Sequence, residues 1–145
     1  MTTGIPRARE ELFAAHLLST TGFAAQSVSH AFRAALSAAE AALLLLDRAP
    51  GPDPTVVVAA FIRHVVRERG MDPDAGRQLR SLLNRAVQAN ADGAVPQPEA
   101  PAAIDDATVV VDIVAAWIEG SNRAAAQRAP SGGGRPPSKQ GRKRR

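Results

Sequence analysis

The stretch SVSHAFRAALSAAEAALLLL, Ser27 to Leu46, carries most of the chemistry this sequence offers. His30, Arg33, Ser37 and Glu40 recur at intervals of three, four and three residues, which puts all four on one stripe of a helix. A histidine exchanges protons near neutral pH, an arginine pairs with anions, and a carboxylate orients both. Together they can form an anion or nucleotide site, or simply the solvated face that a long helix needs. Arg63 and His64 repeat the pairing on a later segment. Arg85, followed by Asn90 and Asp92, adds a third polar group, in which Arg85 and Asp92 can share a helical face as an ion pair. His16, His30 and His64 fall on three different segments, so no pair on one helix has metal-ligand spacing, and neither a metal nor a cofactor is expected.

The charge is unevenly spread. Arg135, Lys139, Arg142, Lys143, Arg144 and Arg145 put six positive charges in the last eleven residues, and the remaining 12 basic residues face 14 acidic ones, so the rest is near −2 although the chain is +4. Residues 129–145, rich in Gly, Pro and basic groups, read as a disordered tail. Such a tail binds nucleic acid through counterion release, or serves only to solubilise; without an aromatic residue to stack on bases, its binding would be nonspecific and salt-sensitive. The absence of cysteine excludes disulfides and thiolate chemistry. No apolar run reaches the length of a signal core or a membrane span, so a cytoplasmic protein is expected, with no membrane partner.

The elements that must position these residues are helices. Leu12, Ala15 and Leu18 mark a first helix, from Pro6 to Thr20, ended by Thr21 and Gly22. Phe32, Leu36, Ala39, Leu43 and Leu46 mark a second, from about Phe23 to Asp47. Asp53-Pro54 and Asp72-Pro73 each read as an N-cap followed by proline at the first helical position. The segment after Asp53 is rich in β-branched residues, yet Val57, Phe61 and Val65 repeat every four and Gly70 suits a C-terminal cap, which predicts a helix. The fourth helix runs to about Ala91 with Leu79, Leu82, Leu83 and Ala86 inward. GAVPQPEAPA reads as a loop before a fifth, from about Ile104 to Gln127, that buries Val110, Val111, Val114, Trp117 and Ile118. The expected fold is all-α: an antiparallel up-and-down bundle of four to five helices over 1–128, followed by the tail.

Two stretches resemble the HEPN domains (higher eukaryotes and prokaryotes nucleotide-binding), in particular their small stand-alone bacterial branch. RAREELFAAHLLSTTGFAAQSVSHAFRAALSAAEAALLLL is similar to that branch's opening hairpin, with Ser29-His30-Ala31-Phe32-Arg33-Ala34 where the family carries Ser-Arg-Ala-Tyr-Tyr-Ala. FIRHVVRERGMDPDAGRQLRSLLNRAVQANADG is similar to its Phe-x-x-x-Phe-Val segment and proline-started fourth helix. The likeness covers about residues 6–122. It implies a toxin-antitoxin or nucleotidyltransferase-linked module that forms a homodimer, meets a nucleotidyltransferase-type antitoxin and acts on RNA. Ribonucleases of the family carry an arginine followed after four to six residues by histidine. The counterpart here is Arg85, with Asn90 and no histidine, and asparagine cannot titrate. The catalytic set implied is therefore Arg85 for the phosphate's developing charge, with His30 or Asn90 orienting the attacking hydroxyl. Arg33, Glu40, Arg63, His64, Arg142, Lys143, Arg144 and Arg145 are the expected ligand contacts. A non-catalytic interaction module whose tail recruits nucleic acid stands as the alternative.

Overall fold

A computed structural model of the chain describes residues 4–128. These form five α-helices and, among the described residues, no strand: α1 (Gly4–Thr20), α2 (Ala24–Leu45), α3 (Pro54–Phe61), α4 (Pro73–Asp92) and α5 (Glu99–Arg128). The helical bundle expected from the sequence is the fold observed. The tail reading, with Arg142, Lys143, Arg144 and Arg145, lies outside the described residues.

α2 is the central helix and touches every other one. It buries Ala31, Ala34, Ala35, Ala38, Ala39 and Ala42, whose small side chains let α1, α4 and α5 approach closely, while Val28, Phe32 and Leu43 fill the wider gaps. By length and composition α2 is also long and apolar enough to cross a membrane, against the expectation that no segment was; half of its most apolar window is buried in the bundle.

The caps follow local chemistry. Asp53 accepts from the Thr55 N–H at 3.0 Å and Asp72 from the Asp74 N–H at 2.9 Å, each ahead of a proline whose missing N–H costs nothing in a first turn. Gly93 closes α4 in the left-handed region, at φ 67°, as only glycine does without a Cβ clash. Buried Ser27 donates to the Ala15 carbonyl at 2.8 Å and ties α2 to α1.

Two further features depart from the sequence reading. α3 does not run on as one α-helix to Gly70 but widens into a π-helical segment, Ile62–Arg67. A strict four-residue repeat drifts about 40° per step around a helix of 3.6 residues per turn, and a wider turn cancels that drift, keeping Val57, Phe61 and Val65 all buried. α5 starts at Glu99 rather than Ile104, because Pro101 falls in the first turn, where backbone N–H groups have no partner to lose. Val110, Val111 and Val114 are buried, with Trp117 and Ile118 packed against the core at its edge.

Candidate functional site

Two members of the polar stripe of α2, His30 and Arg33, meet one carboxylate on α1, Glu11. Glu11 lies on the α1 face that carries Ala8, Leu12 and Ala15 into the core, and its side chain is only 8% exposed. A carboxylate taken so far from water needs compensating donors. Nδ1 of His30 lies 2.7 Å from one oxygen, and Arg7, one turn back on α1, is 3.1 Å from the other, with Nε of Arg33 at 3.8 Å. Burial alone would raise the Glu11 carboxyl; the hydrogen bonds from His30 and Arg7 and the charge of Arg33 outweigh it and hold the group below the ordinary carboxylate range. Glu40, roughly 15 Å further along α2 than His30 by helical rise, is partly buried with Arg7 as its nearest compensating charge, and burial pushes its carboxyl up. The expected stripe therefore does not act as one unit.

His30 and Arg33 open onto a cavity of about 400 Å³ between α2 and the end of α4, lined also by Gln26, Ser29, Asn90 and Gly93. The Ser29 hydroxyl donates to Oδ1 of Asn90 at 3.2 Å and bridges the two helices across it. His30, Arg33 and Asn90, chosen from sequence on separate grounds, thus share one site.

Arg85 does not share it. Its guanidinium donates to Asp106 of α5 at 2.7 Å, so its ion-pair partner is Asp106 and not Asp92; the two are nearly two turns apart on α4, while Asp106 comes from the facing helix. Arg85 lines a neighbouring cavity of about 410 Å³, separated from the first by Ala89, and its Nε is buried with no hydrogen-bond partner. Arg63 and His64 lie on the π-helical segment, where both face Glu68, with Nδ1 of His64 at 3.1 Å and Nε of Arg63 at 3.9 Å. The His64 hydrogen bond leads in lowering the Glu68 carboxyl. Neither residue lines the His30 cavity.

Glu11 and Arg7 are the residues that sequence reasoning missed. The signal was present: Glu11 is a charge on the apolar stripe of Ala8, Leu12 and Ala15, and Arg7 stands four residues before it.

Chemically, the carboxylate of Glu11 takes Nδ1–H of His30 and fixes the tautomer in which Nε2 carries the lone pair. A histidine so held can take a proton from a hydroxyl in the cavity, with Arg33 beside it for an anion and the Asn90 amide for a hydrogen bond. Among the described residues, no three of His, Asp and Glu come together in a set that would hold a metal ion. No protein-family model matches the chain, and no curated protein matches it.

Proposed function

We propose that this chain is a HEPN-like helical protein that binds RNA in the cavity between α2 and α4 and cleaves it at His30. The observation that carries the reading is the hydrogen bond that His30 donates to the buried carboxylate of Glu11, beside a cavity that also holds Arg33 and Asn90. In the proposed reaction, Nε2 of His30 takes the proton of a ribose 2′-hydroxyl, the 2′-oxygen attacks the adjacent phosphorus, and the bond to the 5′-oxygen breaks, giving a 2′,3′-cyclic phosphate and a 5′-hydroxyl that takes its proton from water. Arg33 meets the phosphate's developing charge and Asn90 orients the sugar. Arg85, already committed to Asp106, serves the fold. The toxin-antitoxin or nucleotidyltransferase-linked setting, the homodimer and the antitoxin partner rest on the resemblance of the sequence, and the cytoplasmic location on its lack of cysteine and on the burial of half of α2's most apolar window in the bundle.

The second reading is a non-catalytic interaction module, with nucleic acid recruited by the basic residues beyond 128. The pairing of Arg85 with Asp106 favours it, since the arginine that the resemblance assigns to catalysis has its charge taken up. Incubation of the full chain with labelled total RNA and tRNAs, beside His30→Gln and Arg85→Ala, tests both. Cleavage that is lost in His30→Gln and kept in Arg85→Ala supports the first. Absence of cleavage in the unaltered chain, with binding that fades as salt rises, supports the second.

A further inference from the structure

The C-terminal end of α2 lies roughly 20 Å along the helix from Arg33 and ends in an arrangement that other helices here close with glycine. The Asp47 N–H donates to the Leu44 carbonyl at 2.9 Å and the Arg48 N–H to the Leu43 carbonyl at 3.0 Å, a pair of bonds that requires a left-handed residue between them. Gly22, Gly70 and Gly93 take positive φ near other helix ends; at 59°, Asp47 is the only non-glycine among the described residues to do so. The chain thus keeps a carboxylate where glycine would relieve the backbone.

Asp47 lines a cavity of about 420 Å³ together with Arg69 and, from α5, Trp117, Ser121, Asn122 and Arg128. Among the described residues neither Arg69 nor Arg128 belongs to an ion pair. α5 has no fully buried residue beyond Val114, so its last turns form a wall of this cavity instead of adding to the core. Trp117 is partly buried and packed against the core while also lining this cavity. From Trp117 to Arg128 the α5 wall runs roughly 16 Å, long enough for a ring and a separate charged group.

We propose that this cavity binds a small planar heterocycle carrying an anionic group. Its ring lies against Trp117, its anion is taken by Arg69 and Arg128, and its ring N–H donors meet Asp47. Each part answers to one residue type. An indole offers a stacking surface to any flat ring. Guanidinium forks suit phosphate or carboxylate oxygens. An ionised carboxylate only accepts, so it weakens a site for a bare anion and rewards a ring edge with two adjacent donors, as guanine has and adenine lacks. Ser121 and Asn122 serve hydroxyls between ring and anion. The site shares no residue with the His30 cavity and does not depend on RNA cleavage there.

Trp117 is the only tryptophan in the chain, so the emission of the intact protein, excited at the red edge of indole absorption, reports on this cavity alone. The probes are guanosine 5′-monophosphate, adenosine 5′-monophosphate and inorganic phosphate. The guanosine compound is expected to quench saturably, the adenosine compound to bind at least about fivefold more weakly, and phosphate to give no saturable change. Replacing both Arg69 and Arg128 by Gln should weaken guanosine monophosphate binding by about tenfold or more and leave any RNA cleavage intact. Asp47→Gly should raise the melting temperature by about 3 °C while abolishing the preference for guanine. No saturable quenching by the guanosine compound at millimolar concentration, or equal quenching in the double arginine variant, overturns the site. Equal binding of the two nucleotides by the unaltered chain overturns the role given to Asp47.

Discussion

Nδ1 of His30 lies 2.7 Å from a carboxylate oxygen of Glu11, and this contact joins α2 to α1 through one of the few polar side chains in the core. Arg7 and Arg33 approach the same carboxylate, so its loss leaves three basic groups without their common partner. Glu11→Gln should lower stability by about 2 kcal/mol, read from the urea midpoint, because the replacement cannot accept as many charged donors. A change under about 0.5 kcal/mol would mean that the contact is dispensable.

The carboxylates of buried Glu11 and partly buried Glu40 should respond to acid in opposite senses. Glu11 is held below its unfolded-state value, so its contribution is present above about pH 4.5 and is lost as pH falls through the folded value. Glu40 is raised, mainly by burial, so its charged form costs stability at neutral pH and protonation relieves that cost as pH falls. Urea unfolding between neutral pH and the acid range should show Glu11→Gln flattening the acid loss. Glu40→Gln should be about 0.5 kcal/mol more stable than the parent at neutral pH, with the difference shrinking toward acid. A Glu40→Gln protein less stable at neutral pH contradicts the assignment.

Asn90 faces the cavity from the end of α4, bonded to Ser29 and across from His30. Asn90→His would add a second proton-exchanging group there. RNA cleavage, measured as a single-turnover rate, is expected to rise about tenfold or more, since a general acid for the leaving oxygen is worth on that order. An unchanged or lower rate removes the α2–α4 cavity as the site of cleavage.

Arg85 and Asp106 are partly exposed, with side chains 23% and 34% accessible, so their link should matter modestly to the fold and little to the chemistry. Arg85→Met should cost about 1 kcal/mol while leaving cleavage within about twofold of the parent. A folded Arg85→Met protein that has lost cleavage restores Arg85 to the catalytic set.

The helices were legible in the sequence wherever a local rule governs them. Asp53-Pro54 and Asp72-Pro73 announced two starts, Gly22 and Gly70 two ends, and the spacing of Leu79, Leu82, Leu83 and Ala86 gave the buried face of α4. The widened turn at Ile62–Arg67 was not, because the four-residue repeat of Val57, Phe61 and Val65 fits an α-helix nearly as well over so short a span. At the site, spacing along α2 grouped His30 with Glu40, whereas packing groups His30 with Glu11, 19 residues earlier, and leaves Glu40 with only the charge of Arg7 acting on it. Periodicity within one helix cannot report which side chain of another helix will meet it. Arg85 and Asn90 are a different case: five residues apart, they lie roughly 140° apart around α4, so one faces α5 and the other α2, a separation the helical period itself contains.

The alanine face of α2 bears on how the chain can change over generations. Six alanines at the centre of the bundle are fully buried, so at these positions nearly every substitution adds atoms between packed helices, and only serine or glycine is of comparable or smaller size. The fold is thus closed to drift at its central helix and open at the exposed rim, where Gln26, Arg33 and Asn90 can be exchanged without moving a helix. Relatives that keep the small-residue spacing of α2 and vary around the cavity would share this architecture while differing in what they bind.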